Sequence, residues 1–216
     1  MLKKSFIVLS LLSFCAMSNV QASEKSLEDR LKDVSKGFGK MAYGAYGQLG
    51  YANIGSVTAG DYKYYGKGFD IEAGGYVMFN GVRDLVDVEV GLGYHINGGT
   101  GDENLDAGEI SYDSKGAKLY GSVAFQLPNK HAIAVGAFKD FSGDVDSERR
   151  RHDLDTDGWK GLYAEYQMFP DVINKQMAYV RLSIGDMPLK ITNRDGSFSK
   201  SPSYVGLTIG YKYKAR

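Results

Sequence analysis

The chain has 216 residues with 26 Lys+Arg against 26 Asp+Glu, so its formal net charge is zero, and it carries 28 Gly and 16 Tyr but a single Cys. One cysteine excludes a disulfide framework and a four-cysteine zinc site; balanced charge argues against nucleic acid as a partner, which needs a basic excess to displace counterions; and 12% aromatic residues is too many for a disordered chain. Glycine near twice average usage, with a mean hydropathy of −0.30, fits a soluble β protein and a transmembrane β-barrel alike.

Residues 1–22 read as a secretory signal peptide. Lys3 and Lys4 give a basic start, an uncharged apolar run follows, and Val20-Gln21-Ala22 places small residues where cleavage occurs. The run is too short for a comfortable membrane-spanning helix, which takes about 20 residues. Cys15 leaves with it; an acylated Cys15 requires a small residue before it, and Phe14 stands there. Cleavage also removes Lys3 and Lys4, leaving a slight acidic excess and no cysteine. In 23–40, Leu27, Leu31, Val34 and Phe38 recur at helical spacing with charges between them. This predicts a short amphipathic helix, with Ser26 and Asp29 at its start and Gly37 at its end. It is expected to rest against the barrel or membrane surface on the periplasmic side; the alternative is a plug entering the lumen.

From residue 41 onward the pattern is period two, the strand signal. Eight segments alternate: 43–51, 69–79, 86–97, 117–127, 131–141, 162–168, 178–184 and 204–213. The third is the cleanest, with Val86, Val88, Val90, Leu92, Tyr94 and Ile96 against Asp87, Glu89, Gly91, Gly93, His95 and Asn97. The fifth is apolar on both faces. Connections at 80–84, 128–130 and 170–175 are short and carry turn residues; those at 53–67, 98–109, 142–158 and 186–202 are long, polar and rich in Gly, Asp and Ser. Short and long connections in strict alternation describe an up-and-down barrel in a bilayer, short turns facing the periplasm and long loops facing outward.

A soluble barrel also alternates, and the second face discriminates. Here it mixes Gly, Tyr, Asp, Glu, Lys, Arg and His, which suits a narrow lumen better than a solvated surface. Tyr43, Tyr51, Phe69, Phe79, Tyr94, Phe125, Met168, Phe169, Tyr211 and Tyr213 at strand ends match interfacial aromatic girdles. Near the end, Tyr204-Val205-Gly206-Leu207-Thr208-Ile209-Gly210-Tyr211 follows a polar–any–Gly–any–any–apolar–any–aromatic order. In these features the chain resembles the small outer-membrane barrels of the OmpA/OmpX and opacity-protein type, over about residues 41–216. That type usually ends at the aromatic residue, whereas this chain runs on through Arg216. The resemblance is architectural. It implies an all-β fold, an eight-stranded antiparallel up-and-down transmembrane barrel, exported through the Sec pathway to a bacterial outer membrane. It also implies a monomer, with outer-membrane lipid and lipopolysaccharide as surroundings and a surface ligand or host-cell partner for the loops.

Three constellations are candidates for function. The first is a lumen charge network of Asp70, Glu72, Asp87, Glu89, His95, Lys118, Glu165, Arg181 and Lys212. An eight-stranded barrel is only wide enough inside for side chains, so these charges are expected to pair; the alternative is a small passive channel. The second is Asp153-x-Asp155-x-Asp157-Gly158, the first half of a calcium-loop pattern, in which alternate carboxylates converge on a hard cation. Its match is partial, since Glu165 falls one place beyond the usual last ligand. Asp102, Asn104 and Asp106 echo it. Calcium in that loop is the one cofactor entertained. The third is Arg149-Arg150-Arg151, whose forked guanidinium groups suit lipopolysaccharide phosphates or the neighbouring Asp144, Asp146 and Glu148. A lipid-modifying enzyme is a third functional class, since some barrels of this size use His, Ser and a carboxylate. His95 and Ser183 both face inward, but on opposite walls and without a flanking nucleophile motif. The expected role is therefore structural or surface-interacting and not enzymatic.

Overall fold

The computed structural model describes residues 41–80, 86–99, 109–127, 131–147, 153–171 and 176–215. The signal peptide 1–22, the helix 23–40, the Arg149–151 run and the Asp102/Asn104/Asp106 loop lie outside them. Eleven strands form one sheet: β1 (Met41–Ala59), β2 (Tyr62–Asn80), β3 (Val86–Gly99), β4 (Glu109–Leu127), β5 (His131–Ser147), β6 (Asp153–Thr156), β7 (Lys160–Asp171), β8 (Gln176–Asp186), β9 (Leu189–Asn193), β10 (Gly196–Lys200) and β11 (Ser203–Lys214).

Eight of these close a barrel. Each long strand pairs antiparallel with the next, from β1 through β5, across to β7, β8 and β11, and β11 returns to β1 with Tyr46 opposite Lys212 and Leu49 opposite Ile209. Closure leaves no free edge along the ring. The alternation fixes which face points where. Leu49, Ile71, Leu92, Leu162, Leu182, Leu207 and Ile209 stand on the outer face and are more than half exposed, while Glu72, Glu165 and Lys212 on the inner face are 1% exposed.

Strands extend further than the alternation predicts. The segment expected to be a long loop at 53–67 is the upper half of a hairpin, β1 running to Ala59 and β2 starting at Tyr62. The turn is Gly60-Asp61, and Gly60 takes a left-handed φ of 62° that favours glycine. Likewise 186–202 contains the β9–β10 hairpin, and 142–158 contains the end of β5 and all of β6. Leu189 and Ile191 point inward while Lys190 and Thr192 point outward, a period-two pattern too short to stand out among polar residues. Above the ring, β6 pairs with β9, and a short stretch of β2 runs parallel to β4 from Lys63 to Tyr65.

Along these strands the polarity reverses. In the ring, apolar side chains face out and polar ones face in. Beyond it, Ile54, Tyr64, Ile110, Tyr112, Val145, Leu154, Leu189 and Ile191 are buried inside, while Lys63, Asp113, Asp153, Asp155 and Lys190 are exposed outside. The outer apolar face is bordered by aromatics. Tyr51 opposes Phe69 near the reversal, and Tyr43, Phe79, Tyr211 and Tyr213 lie toward the chain ends. Tyr43 to Tyr51 covers about 27 Å of strand at roughly 3.4 Å per residue.

The excess of glycine and tyrosine has one structural cause. Inward tyrosines lie flat over inward glycines directly across a strand pair: Tyr46 over Gly74, Tyr76 over Gly44, Tyr120 over Gly91, Tyr163 over Gly136 and Tyr179 over Gly210. A Cβ on Gly91 or Gly210 overlaps the facing ring, whereas one on Gly47 comes no nearer than 4.0 Å to a neighbour. We expect Gly91→Ala and Gly210→Ala each to cost about 1–3 kcal/mol through overpacking, and Gly47→Ala to stay within about 0.5 kcal/mol. Urea titration followed by the emission of Trp159, the only tryptophan, measures all three.

Candidate functional site

The lumen holds the side chains that the alternation turns inward. Asp70, Glu72, Asp87, Glu89, His95, Lys118, Glu165, Arg181 and Lys212 are all buried within the barrel. Near the end where the short turns lie, Gln126 donates to Asp87 at 2.7 Å. Lys212 on β11 donates to Glu89 across the lumen at 2.8 Å and to Glu165 at 2.7 Å. Glu165 also accepts from Arg181 Nε at 2.9 Å and Nη2 at 2.7 Å, and from Gln167 at 2.8 Å. A second centre is Glu72, which accepts from Lys118 at 2.7 Å, Gln48 at 2.8 Å and Tyr46 at 2.5 Å.

These pairs are held by rings as well as by charge. The Arg181 guanidinium lies 4.3 Å from the centre of Tyr163 and 5.2 Å from those of Tyr120 and Tyr179. Cations over aromatic faces gain most when desolvated. The tyrosines seated on glycines therefore also wall the charges in.

Toward the reversal the site changes character. His95 Nε2 lies 2.8 Å from Asp140 Oδ2, and its Nδ1 has no hydrogen-bond partner among the described residues. The imidazole packs 4.9 Å from Trp159, which packs 4.5 Å from Tyr204. Tyr204 donates to Asp70 at 3.4 Å. Trp159 is pinned by backbone: Asp140 N donates to Trp159 O at 2.7 Å, Trp159 N donates to Asp140 Oδ2 at 3.4 Å, and its indole N–H meets Met187 Sδ. His95 thus bonds to a carboxylate and not to a hydroxyl. Ser183 on β8 forms no couple with it.

Above Trp159 the interior is an apolar cap of Ile54, Tyr64, Ile110, Tyr112, Leu154, Met187, Leu189 and Ile191. The β1–β2 and β9–β10 hairpins are tied over it. Asn193 Nδ2 donates to Ala59 O at 3.1 Å and to Tyr64 Oη at 2.9 Å, Asp61 N donates to Asp195 at 3.2 Å, and Arg194 lies over the Tyr62 ring. Burial raises the Tyr64 and Tyr112 hydroxyls above the usual phenol range, so both remain neutral.

The structure splits the calcium pattern, with Asp153 and Asp155 on β6 and Asp157 and Gly158 in the link before β7. Asp153 and Asp155 belong to β6, and alternate strand residues point the same way side by side instead of converging. Lys190 of β9 stands opposite Asp155. Among the described residues no three His, Cys, Asp or Glu side chains gather to hold a metal ion.

Sequence reasoning missed Asp140 and Trp159, both buried inside, and left the inward-facing Asn97 out of the charge network. Asp140 was recoverable, because it shares parity with Ala132, Ala134 and Phe138, the inward residues of β5. Trp159 carried no periodic signal, since it sits in the short link between β6 and β7.

Glu165 serves two cations, so we expect Glu165→Gln to cost about 3–5 kcal/mol by leaving buried charge uncompensated. Glu165→Gln with Arg181→Gln should cost less than the sum of the two single changes. A double-mutant cycle in urea reads this directly, and additive losses contradict the coupling.

No family model matches the chain, and no curated protein matches it. Solved structures of outer-membrane barrels are similar to it at low identity. The solid-state NMR structure of outer membrane protein AlkL in DMPC lipid bilayers has 11% identity and a TM-score of 0.49, covering 92% of this chain and 97% of that one. A major outer membrane protein from Thermus thermophilus has 14% identity and a TM-score of 0.41, covering 80% and 98%. Ail, the attachment invasion locus protein of Yersinia pestis, in complex with the heparin analogue sucrose octasulfate, has 13% identity and a TM-score of 0.37, also covering 80% and 98%.

Proposed function

We propose that this chain is an integral outer-membrane protein of a Gram-negative cell envelope, whose barrel anchors a rigid outer rim that works by surface interaction. The observation that carries the reading is the reversal of polarity. In lipid the apolar face must point out and every backbone group must be satisfied internally, which a closed barrel achieves. In water a protein needs an apolar core, and the segment above the aromatic border has one. Residues 1–22 supply the signal for Sec export in this reading, and the barrel acts as a monomer.

The filled lumen supports an anchor over a passive channel. Paired charges and tyrosines lie buried in the ring, and Trp159, Met187 and Ile191 lie buried toward its outer end. The rim supports surface interaction, because hairpins cross-tied by Asn193 and Asp195 hold a fixed shape for a partner. Lipopolysaccharide contact by Arg149, Arg150 and Arg151 belongs to the same proposal.

The refolded protein should migrate faster on an unheated detergent gel than after boiling, and Ile209→Arg, on the lipid face, should cost about 2–4 kcal/mol of insertion free energy. In a planar bilayer it should show no steady openings, and regular openings would establish the channel instead. An epitope placed in the Arg194-Asp195 turn should be labelled on intact cells; labelling only after permeabilisation would overturn the orientation, and recovery as a soluble periplasmic species would overturn the membrane reading.

A further inference from the structure

The outer wall between β3 and β8 is dented. Gly121, Ala137 and Ala164 offer little side chain there, and Val90, Leu162 and Leu182 stand around them, leaving an apolar groove of about 710 Å³. Its uppermost row, read across the strands, is Gly121, Ala137, Leu162 and Ile184. Two residues further along each strand, the next outward row is Leu119, Lys139, Lys160 and Asp186.

Lys139 and Lys160 are directly opposed on neighbouring antiparallel strands, and both are exposed. Such positions hold their Cβ atoms about 5 Å apart, where like charges repel. Neither ammonium group has an ion pair or hydrogen bond among the described residues. Asp186 stands on the far side of Lys160, so the row carries a net single positive charge. It lies just where the apolar groove ends, with the exposed Phe141 the next outward residue of β5 beyond Lys139. A strand pair that places two cations side by side at the head of an apolar groove is complementary to a molecule with an anionic head and a hydrocarbon body.

We infer that this wall binds a phosphorylated lipid of the surrounding leaflet, its phosphate between Lys139 and Lys160 and an acyl chain in the groove over Ala137 and Ala164. A phosphate monoester carries about −1.5 to −2 charge near pH 7, enough to neutralise the row and relieve the repulsion. The two ammonium groups donate to its oxygens, and each such bond is charge-assisted. The inference rests on the membrane reading above, because only there does the groove face lipid.

The test uses the full-length barrel refolded into phosphatidylcholine vesicles, together with Lys139→Gln/Lys160→Gln and Ala137→Leu/Ala164→Leu. The heat-dependent gel shift is recorded first for all three. They are then extracted in dodecyl maltoside and titrated with diphosphorylated lipid A, bound lipid being counted by native mass spectrometry. The wild type should hold lipid A, the lysine variant should bind it about thirtyfold more weakly, and the groove-filling variant should also lose affinity. Inorganic phosphate at the same concentration should not displace the lipid. Equal binding by the lysine variant, or displacement by inorganic phosphate, overturns the lipid site while the gel shift keeps the membrane reading standing. Absence of the gel shift in the wild type overturns both.

Discussion

A ring of eight strands leaves room inside for side chains and little else, and the rest of this protein follows from that narrowness. The buried carboxylates draw their donors from the wall itself: Glu72, Glu89 and Glu165 from cations, Asp87 from Gln126 and Asp70 from Tyr204. Lys212 lies between Glu89 and Glu165, and Arg181 shares Glu165 with it. Replacing such a network by apolar residues is often neutral or stabilising, while breaking it from one side is strongly destabilising. Its value here lies in specifying one arrangement. Lys212 is on the last strand and Glu89 on the third, so their bond exists only when the barrel is closed in the correct register.

The same narrowness explains the glycines. A tyrosine projecting into the lumen needs a flat place on the opposite strand, and glycine provides it. Stacked in this way, Tyr120, Tyr163 and Tyr179 also face Arg181. Packing and electrostatics are therefore not separate contributions in this core. A substitution at Gly210 displaces Tyr179, and with it a hydrogen bond to Gln48 and one wall of the Arg181 site.

Much of this was legible in the sequence because period-two alternation reports the face directly. Asp87, Glu89 and His95 follow from Val86, Val88 and Val90 without knowledge of any partner. The partners were not legible. Lys118 meets Glu72 at a separation of 46 residues through the β2–β3–β4 meander, and Lys212 meets Glu89 at 123, a distance that only closure makes short. Asp140 escaped notice because Val135, Ala137 and Ala132 make β5 apolar on both sides. The upper hairpins read as loops for a different reason. Gly60, Asp61, Arg194 and Asp195 are turn residues, but the strands they join are polar outside and carry few apolar residues inside, so the turns stood out and the strands did not. The spacing of Asp153 and Asp155 that resembles a cation loop is the same alternation, read on a strand's wet face.

That spacing points to the organising feature of the molecule. In the membrane reading, one alternating pattern serves two solvents in a single continuous strand. On β2, Phe69 and Ile71 face outward over Asp70 and Glu72 in the ring, while further up the buried residue is Tyr64 and Lys63 is exposed. β2 runs unbroken from Tyr62 to Asn80 across the change, with Gly68 at a φ of 157° beside Phe69 and a bulge in the facing strand between Ile54 and Val57. The polar and apolar residues exchange faces there. In hydrocarbon the polar face must be hidden and paired, and in water the apolar face must be hidden and packed. The level of His95, Asp140 and Trp159 is where both demands meet, which is why an imidazole–carboxylate pair there lies against an indole. In the membrane reading, the apolar core of the rim sits directly on the inverted, polar core of the barrel.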